Sequence, residues 1–398
     1  MKVGLVTLEL KAGGAQRLVL EEARHFEKRG HDVILIPAKD NQEFRDSVGM
    51  KNIKVREYPF LQLNTPSAIN KPFEIKRLRK ILLSEDLDLV ISHYHDINVY
   101  LATRGTNINF SCHINGSPFW FMSSESIIPH RGKSGYKMIN DTINGHREFI
   151  SPDSFPAYKK RYHEVRESLR GRALQQSTVV TTLTSQVASE LNFCYKIDPE
   201  VVRPGVGEEW HKMNIDATPR DLKNVATDCA ICNVGRLDER KRNALLIRAF
   251  SKIAKERDDI TLIIGGTGNQ GKTLRALVSR LEIDERVVFP GYISEEKLPK
   301  YYAACDILAH PAWVAYGLTP LEAYVLGTKV AISTDTMVKE IIAGEPGVEV
   351  LAPNVSDWES GLRELLDAPE HAPNTSVVPT WAQYFDEKYE ILVGKDAL

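Results

Sequence analysis

Residues 2–37 read KVGLVTLELKAGGAQRLVLEEARHFEKRGHDVILIP, and their pattern decides the fold. Lys2 to Leu8 is an apolar run of strand length, and Lys11 to Gly14 is a glycine loop. Ala15 to Arg29 then places Ala15, Leu18, Val19, Ala23 and Phe26 on one face of a 3.6-residue period, which predicts a helix. Gly30 is positioned to stop that helix, and His31 to Pro37 returns as a second buried strand. Strand, helix and parallel strand make a βαβ unit.

The alternation continues outward. Strands are predicted at Ile53–Tyr58, Leu87–Ser92 and up to His113, with a helix over Phe73–Leu83. From about Asn115 to Arg170 the rhythm breaks into an aromatic-rich, basic stretch, and it resumes at Ser177–Leu183. The first lobe closes near Glu200–Gly207. A second series opens at Ala230–Gly235 and runs through a helix at Ala244–Lys255, a strand at Ile260–Ile264, a helix at Thr273–Leu281 and a strand at Arg286–Phe289. A helix at Glu295–Ala304, a strand at Asp306–His310, a helix at Gly317–Leu326 and a strand at Thr328–Ser333 complete it. Two successive doubly wound α/β lobes follow, and in such sheets ligands lie beyond the carboxyl ends of strands. The expected boundaries are an amino-terminal Rossmann-like domain over 1–205, with an irregular insertion at about 115–170, and a carboxy-terminal one over 206–375. A last helix over 376–398 is expected to cross back to the first domain.

Length and composition agree. The 398 residues suit two domains, and 42% apolar with 26% charged residues is the balance of a soluble globular chain. A net charge of −2 argues against a dedicated nucleic-acid binder. No secretory leader and no run of about 18 apolar residues is evident, and five cysteines suit a reducing compartment rather than a disulfide framework. A cytoplasmic location is the expectation.

Two segments of the second lobe carry candidate chemistry. In Val234–Arg242, VGRLDERKR, Arg236 follows a strand end and Lys241 begins the next helix. Such cations suit a diphosphate, which an Arg grips bidentately and a Lys neutralises as a point charge; a solvated charge cluster is the competing reading. In His310–Gly327, HPAWVAYGLTPLEAYVLG, a strand ends at His310 and a loop reaches Tyr316-Gly317, before a helix with Glu322 in its early turns. Free amides at a helix start attract phosphate and a glycine allows close approach. Glu322 can accept hydrogen bonds from a diol such as ribose, or serve simply as a favourable acid near a helix start.

With Gly291–Pro311, GYISEEKLPKYYAACDILAHP, and Gly13–Val33, GGAQRLVLEEARHFEKRGHDV, these segments resemble the GT-B-fold retaining glycosyltransferases of family four, the glycosyl transferases group 1. The resemblance spans both lobes outside Asn115–Arg170. It implies a GT-B fold, two doubly wound Rossmann-like domains facing across a cleft. It also implies retaining transfer of a sugar from a nucleotide diphosphate sugar, UDP- or GDP-linked, to a glycan, lipid-linked or small-molecule acceptor. No cofactor, no metal and no nucleic-acid partner is implied. Arg236 and Lys241 match the family's diphosphate-binding pair, which also stabilises charge on the departing nucleotide. Glu322 matches the second acid of its E-x(7)-E motif, which holds the ribose, with Gly317, Leu318 and Thr319 beside the donor. Gly13 and Gly14 match the glycine loop that closes on the donor. His113 matches a cleft histidine near the donor sugar; a structural strand-end histidine is the alternative. Catalysis is assigned to Arg236, Lys241 and His113. One position departs: where the first acid of the motif belongs, this chain has Val314. A donor with altered hydroxyls, a compensating residue, or a non-catalytic nucleotide-sugar or glycan binder would each accommodate that change.

Other motifs point elsewhere. Gly266–Thr273, GTGNQGKT, matches the P-loop pattern and suggests an NTPase acting through Lys272, but no partner strand ends in a magnesium-binding acid. Cys229 and Cys232 are three apart at a strand entry and face opposite sides, so core packing fits them better than metal. His93, His95 and Asp96 mimic metal ligands, with cleft lining as the expected role. Lys71–Leu83, KPFEIKRLRKILL, is a basic amphipathic helix that either packs on the sheet or touches an anionic membrane at the inner face. Lys159–Arg172, with Phe119, Trp120 and Phe121, is expected to shape the acceptor site.

Overall fold

Apolar runs too continuous for a half-exposed strand form the centres of two parallel sheets, as expected where helices cover both faces. A computed structural model describes residues 1–10, 14–58, 71–118 and 157–394. They fall into two units, Met1–Val202 with Phe385–Leu398, and Arg203–Tyr384.

The first unit runs β1 (Lys2–Glu9), α1 (Gly14–Lys28), β2 (Asp32–Lys39), α2 (Gln42–Ser47), β3 (Lys54–Val55), α3 (Lys71–Ser84) and β4 (Leu89–His93). It continues through α4 (Asp96–Thr103), β5 (Asn109–Ile114), α5 (Ala157–Gln176), β6 (Val180–Thr182), α6 (Ser185–Tyr195) and β7 (Glu200–Val201). All strands pair in parallel, in the order β3-β2-β1-β4-β5-β6-β7. The order reverses direction between β1 and β4, which is the switch point of a doubly wound sheet. Leu18, Val19, Ala23 and Phe26 of α1 are buried, as the helical period predicts, and Val19, Ala23 and Phe26 share a core with Val3, Leu5, Val33 and Leu35. Each of the valine, leucine and phenylalanine side chains contributes about 1.5–3 kcal/mol when fully buried.

The second unit runs α7 (Glu208–Lys212), β8 (Cys229–Val234), α8 (Asn243–Ile253), β9 (Ile260–Gly265), α9 (Gly271–Arg280), β10 (Val287–Gly291) and α10 (Leu298–Ala303). Then come β11 (Ile307–His310), α11 (Thr319–Val325), β12 (Lys329–Ser333), α12 (Lys339–Ile342), β13 (Val348–Leu351), α13 (Val355–Asp367) and α14 (Trp381–Val393). The sheet is again parallel, in the order β10-β9-β8-β11-β12-β13, with its switch point between β8 and β11. From Phe385 onward α14 belongs to the first unit, where Tyr389 and Leu392 join the core under α1.

Several elements differ from the sequence reading. The strand expected at Ile53–Tyr58 is reduced to Lys54–Val55, although the Arg56 and Tyr58 amides still donate to Leu35 and Pro37 of β2. The helix expected from Gly317 starts at Thr319, because Gly317 has φ +96° and Pro320 sets the first turn. Within the stretch expected to be irregular, residues 157–176 form the 20-residue α5. That helix shows no apolar stripe because polar anchors hold it: Arg170 pairs with Asp96 at 2.7 Å and Glu167 accepts from the Tyr195 hydroxyl at 2.6 Å. Phe119, Trp120 and Phe121 lie outside the described residues.

Candidate active site

In the second unit the loops after β8 and β11 flank the switch point, and they carry Arg236, Lys241 and Gly317. The loop after β8 is built on glycine contacts. Gly235 donates to Gly265, Leu237 donates to Thr267, and Gln270 donates back to Leu237. A β-carbon on Gly266 would stand 1.8 Å from the Gly235 carbonyl oxygen, and one on Gly268 2.4 Å from that of Leu237. The P-loop-like segment is therefore a glycine turn pressed against the loop bearing Arg236. Its Gly266, Gln270 and Gly271 amides donate to Gly291, Leu237 and Gly268. Those amides are engaged within the protein rather than gathered round a phosphate, and Lys272 is exposed.

On that platform stand the cations. Arg236 is 73% exposed, with Nε 3.7 Å from Asp238 Oδ2, and Arg240 reaches the same oxygen at 3.5 Å. Lys241 is half-buried and folds over Gly235. Burial pushes its pKa down to about 8; Asp238 opposes this, while Arg240 and Arg236 add repulsion. Three cations thus share one carboxylate, which leaves a local positive excess.

Arg242, indistinguishable from its neighbours in the sequence run, has a different task. It adopts φ +49° and donates to the Pro311 carbonyl, the Ser333 hydroxyl and Asp335 Oδ2, the last at 2.5 Å. Together with the Trp313 amide donating to Arg240 at 2.8 Å, this clamps the two loops to each other. His310, fully buried at the end of β11, places Nε2 3.5 Å from where a β-carbon on Gly317 would stand. Burial first, then the charge of Lys241, holds its pKa well below the usual range, so the ring is neutral. Tyr316 donates its hydroxyl to the Pro204 carbonyl, anchoring the residue before Gly317.

Leu318 and Thr319 form the start of α11, and Glu322 lies half-buried in its first turn. The nearby Tyr302 phenol is held protonated by burial and then by the charge of Glu322. Val314 forms a short parallel bridge to Thr336, and its Cγ2 would meet a Gly317 β-carbon at 3.2 Å. An aliphatic group therefore faces the turn where the motif calls for a carboxylate.

In the first unit Gly13 lies outside the described residues, and Gly14 opens α1 with nothing within 4 Å of an added β-carbon. His113 is fully buried near the end of β5, its Nδ1 2.7 Å from Thr181 Oγ1 and its ring centroid 5.1 Å from that of His93. In this position it is a strand-end histidine with no exposed surface. His93 binds Glu22 and Asp96 binds Arg170, so the supposed His93, His95 and Asp96 ligand set is dispersed. Among the described residues no group of three His, Cys, Asp or Glu side chains is placed to hold a metal ion. No helix among them is long and apolar enough to cross a membrane. Sequence reasoning missed the buried Glu22–Lys388 pair, since a lysine in a terminal helix carries no signal of burial.

Comparison with known proteins adds to this geometry. The sequence profile described as Glycosyltransferase Family 4 matches residues 12–210, half of the chain, and that described as Glycosyl transferases group 1 matches residues 214–376. An uncharacterized glycosyltransferase of Methanocaldococcus jannaschii is 34% identical over 146 residues, 33% of this chain and 37% of that protein. The D-inositol 3-phosphate glycosyltransferase of Mycolicibacterium smegmatis is 30% identical over 192 residues, 46% of this chain and 44% of that protein. The chain thus spans under half the length of these curated relatives. Among solved structures, WaaG, a glycosyltransferase involved in lipopolysaccharide biosynthesis, superposes with a TM-score of 0.71 at 16% identity, covering 99% of this chain and all of that one. Anabaena HepE in complex with UDP gives 0.67 at 16% identity, covering 98% of this chain and 95% of the other. At such identities the likeness is one of fold.

Proposed function

The chain belongs to glycosyltransferase family 4 and has a GT-B fold, and from that premise we propose that it transfers a sugar from a nucleotide diphosphate donor to a hydroxyl acceptor with retention at the anomeric carbon. The observation that carries the reading is the cation cluster at the second switch point, Arg236 and Lys241 over Gly235 around a single Asp238. A diphosphate matches that positive excess, and HepE, which shares the fold, is known in complex with UDP.

In this mechanism Arg236 and Lys241 stabilise the negative charge that grows on the departing nucleoside diphosphate. Gly317, Leu318 and Thr319 line the donor, and Glu322 accepts hydrogen bonds from the ribose diol. The chemistry needs no bound cofactor, because the protein cations neutralise the leaving group. Acceptor groups of glycan, lipid-linked or small-molecule type fit the proposal. A peripheral contact with an anionic membrane is proposed for α3, where Phe73 is 76% exposed and shares an exposed face with Lys76, Arg77 and Lys80. Sedimentation with anionic and neutral vesicles checks that contact; equal recovery with both would count against it.

A thermal-shift and turnover panel of UDP-, GDP- and ADP-sugars tests the main reading. A donor bound by the native state alone raises the melting temperature and is consumed. Absence of both effects across the panel would overturn the reading, and binding without turnover would leave only a binder.

A further inference from the structure

The C-terminal helix reaches further into the first unit than docking requires. Its apolar attachment is complete without Lys388: Tyr389 and Leu392 enter the core under α1, Phe385 stacks on His25 at 5.6 Å, and Arg29 pairs with Asp386 at 2.5 Å. Lys388 nevertheless inserts its ammonium to 1% exposure and meets Glu22 Oε1 at 2.7 Å. Burying two charges costs several kcal/mol each before their attraction is counted, and an apolar pair of similar volume commonly stabilises a core as well or better. Docking alone does not account for the pair.

What the pair touches does. The second carboxylate oxygen of Glu22 lies 2.8 Å from His93 Nε2. On the other side of that ring, the Asn115 amide Nδ2 lies 3.5 Å from Nδ1. With the amide donating to Nδ1, the imidazole proton sits on Nε2 and is donated to Glu22. His93 and His113 are register partners across β4 and β5, their rings tilted by 59°. His113 is held from beyond by Thr181. The array occupies the carboxyl ends of β4 and β5, beside the switch point, where doubly wound sheets bind their ligands.

We propose that Lys388 is a positioning residue for the transfer reaction: through Glu22 it fixes the tautomer and orientation of His93, and through His93 those of His113 and Asn115 at the strand ends. The proposal rests on the glycosyltransferase reading given above. Electrostatics agree with it. Burial alone would raise the Glu22 pKa, yet Lys388 foremost and then His93 bring it to about 2, so the carboxylate is ionised. His93 and His113 are both lowered, by burial first, and Lys388 contributes to each. The groups facing the array are Glu22 from α1, His93 from β4, His113 from β5 and Lys388 from α14, with His25 of α1 also coupled to Glu22.

Full-length Lys388→Met, and Glu22→Gln combined with Lys388→Met, test the proposal beside the wild type. The double variant keeps the shape and leaves no lone buried charge, so it remains informative if the single one folds poorly. Expected results are an unchanged thermal shift with UDP or GDP and a kcat at least about tenfold lower in both variants. In the double variant the His93 pKa should fall, because Glu22, a larger influence on it than Lys388, is lost as well, while that of His113 rises. In Lys388→Met, removing the cation alone should raise the pKa values of both histidines. The acid limb of its pH–rate profile then moves to higher pH, and the histidine ring protons titrate there by NMR. Wild-type kcat with a wild-type pH profile in the double variant would overturn the proposal, as would unmoved histidine titrations. If the wild-type protein transfers no sugar, the enzyme reading fails instead, and the NMR titrations still decide whether Lys388 governs the two histidines.

Discussion

Lys241 lies across the backbone of Gly235, where an added β-carbon would stand 3.3 Å from its Cε and 3.6 Å from its Nζ. The glycine thereby lets the ammonium settle beside Arg236 and Asp238. Lys241→Ala and Arg236→Ala are each expected to lower kcat by about 10²–10³-fold, the scale of losing one preorganised electrostatic contact in a transition state. Their melting curves should stay near wild type, since Arg236 is exposed and Lys241 is charged at a half-buried site. Steady-state kinetics with the donor found by thermal shift make the measurement. Near-normal turnover in both variants would remove the two cations from the mechanism.

The depressed pKa of Lys241 sets a pH limit on donor binding. At neutral pH the ammonium is charged; above about 8 in the free protein it is neutral. A bound diphosphate favours the charged form, so binding above about pH 8 takes up a proton and weakens as pH rises. Nucleoside diphosphate affinity should fall between pH 8 and 9, well before an ordinary lysine titrates. Calorimetry in buffers of different ionisation enthalpy reads that proton directly. Constant affinity up to pH 10 would contradict the assignment. The sign for stability is opposite: a lysine lowered by burial is a cost to the apo fold while charged, so Lys241→Met should not destabilise it.

The glycine turn at residues 266–271 separates a structural motif from a catalytic one. Gly266→Ala forces a β-carbon onto the Gly235 carbonyl oxygen, at a backbone φ of +121° that only glycine readily adopts. A loss of roughly 2–4 kcal/mol follows from the clash and the strained backbone together. Lys272→Ala, at an exposed position, should change neither stability nor transfer. Urea denaturation and the transfer assay suffice to compare them. Magnesium-dependent ATP hydrolysis lost in Lys272→Ala would revive the NTPase reading.

How much of this was legible follows from where the information lay. The βαβ opening was readable because Leu18, Val19, Ala23 and Phe26 bury one face of α1, and that apolar period survives in composition alone. Likewise the position of Arg236 and Lys241 in the loop beyond β8 was readable, because they follow a strand end in a recognisable order. Arg242 could not be told from them: only its backbone at φ +49° and its three acceptors show it to be a clamp between loops. Helix α5 escaped because Arg170 and Glu167 anchor it through polar partners brought in by the sheet topology. The pairing of Glu22 with Lys388 was beyond reach for the same reason, 366 positions of chain separating two charges that pattern reasoning places on solvent.

Buried histidines should govern the acid stability of both units. His93, His113 and His310 are all lowered, burial being the first cause in each. The unfolded chain binds a proton at each of them below about pH 6.5, whereas the native fold keeps them neutral. Their contribution is therefore complete above about 6.5 and declines as pH falls toward the native values, by about 1.4 kcal/mol per pH unit for each fully neutral ring. Glu22 adds little to this window, since its contribution is lost only as pH falls from about 4.5 toward 2. Glu190, pushed up to about 7 by burial, opposes the histidines by one group. Urea midpoints at pH 7.5 and 5.5 should differ markedly in the wild type. His310→Leu removes one titrating ring without touching a hydrogen bond found for it, and should make the pH dependence shallower by about one proton. Equal midpoints at the two pH values in the wild type would mean that these rings are protonated inside the fold, against their burial.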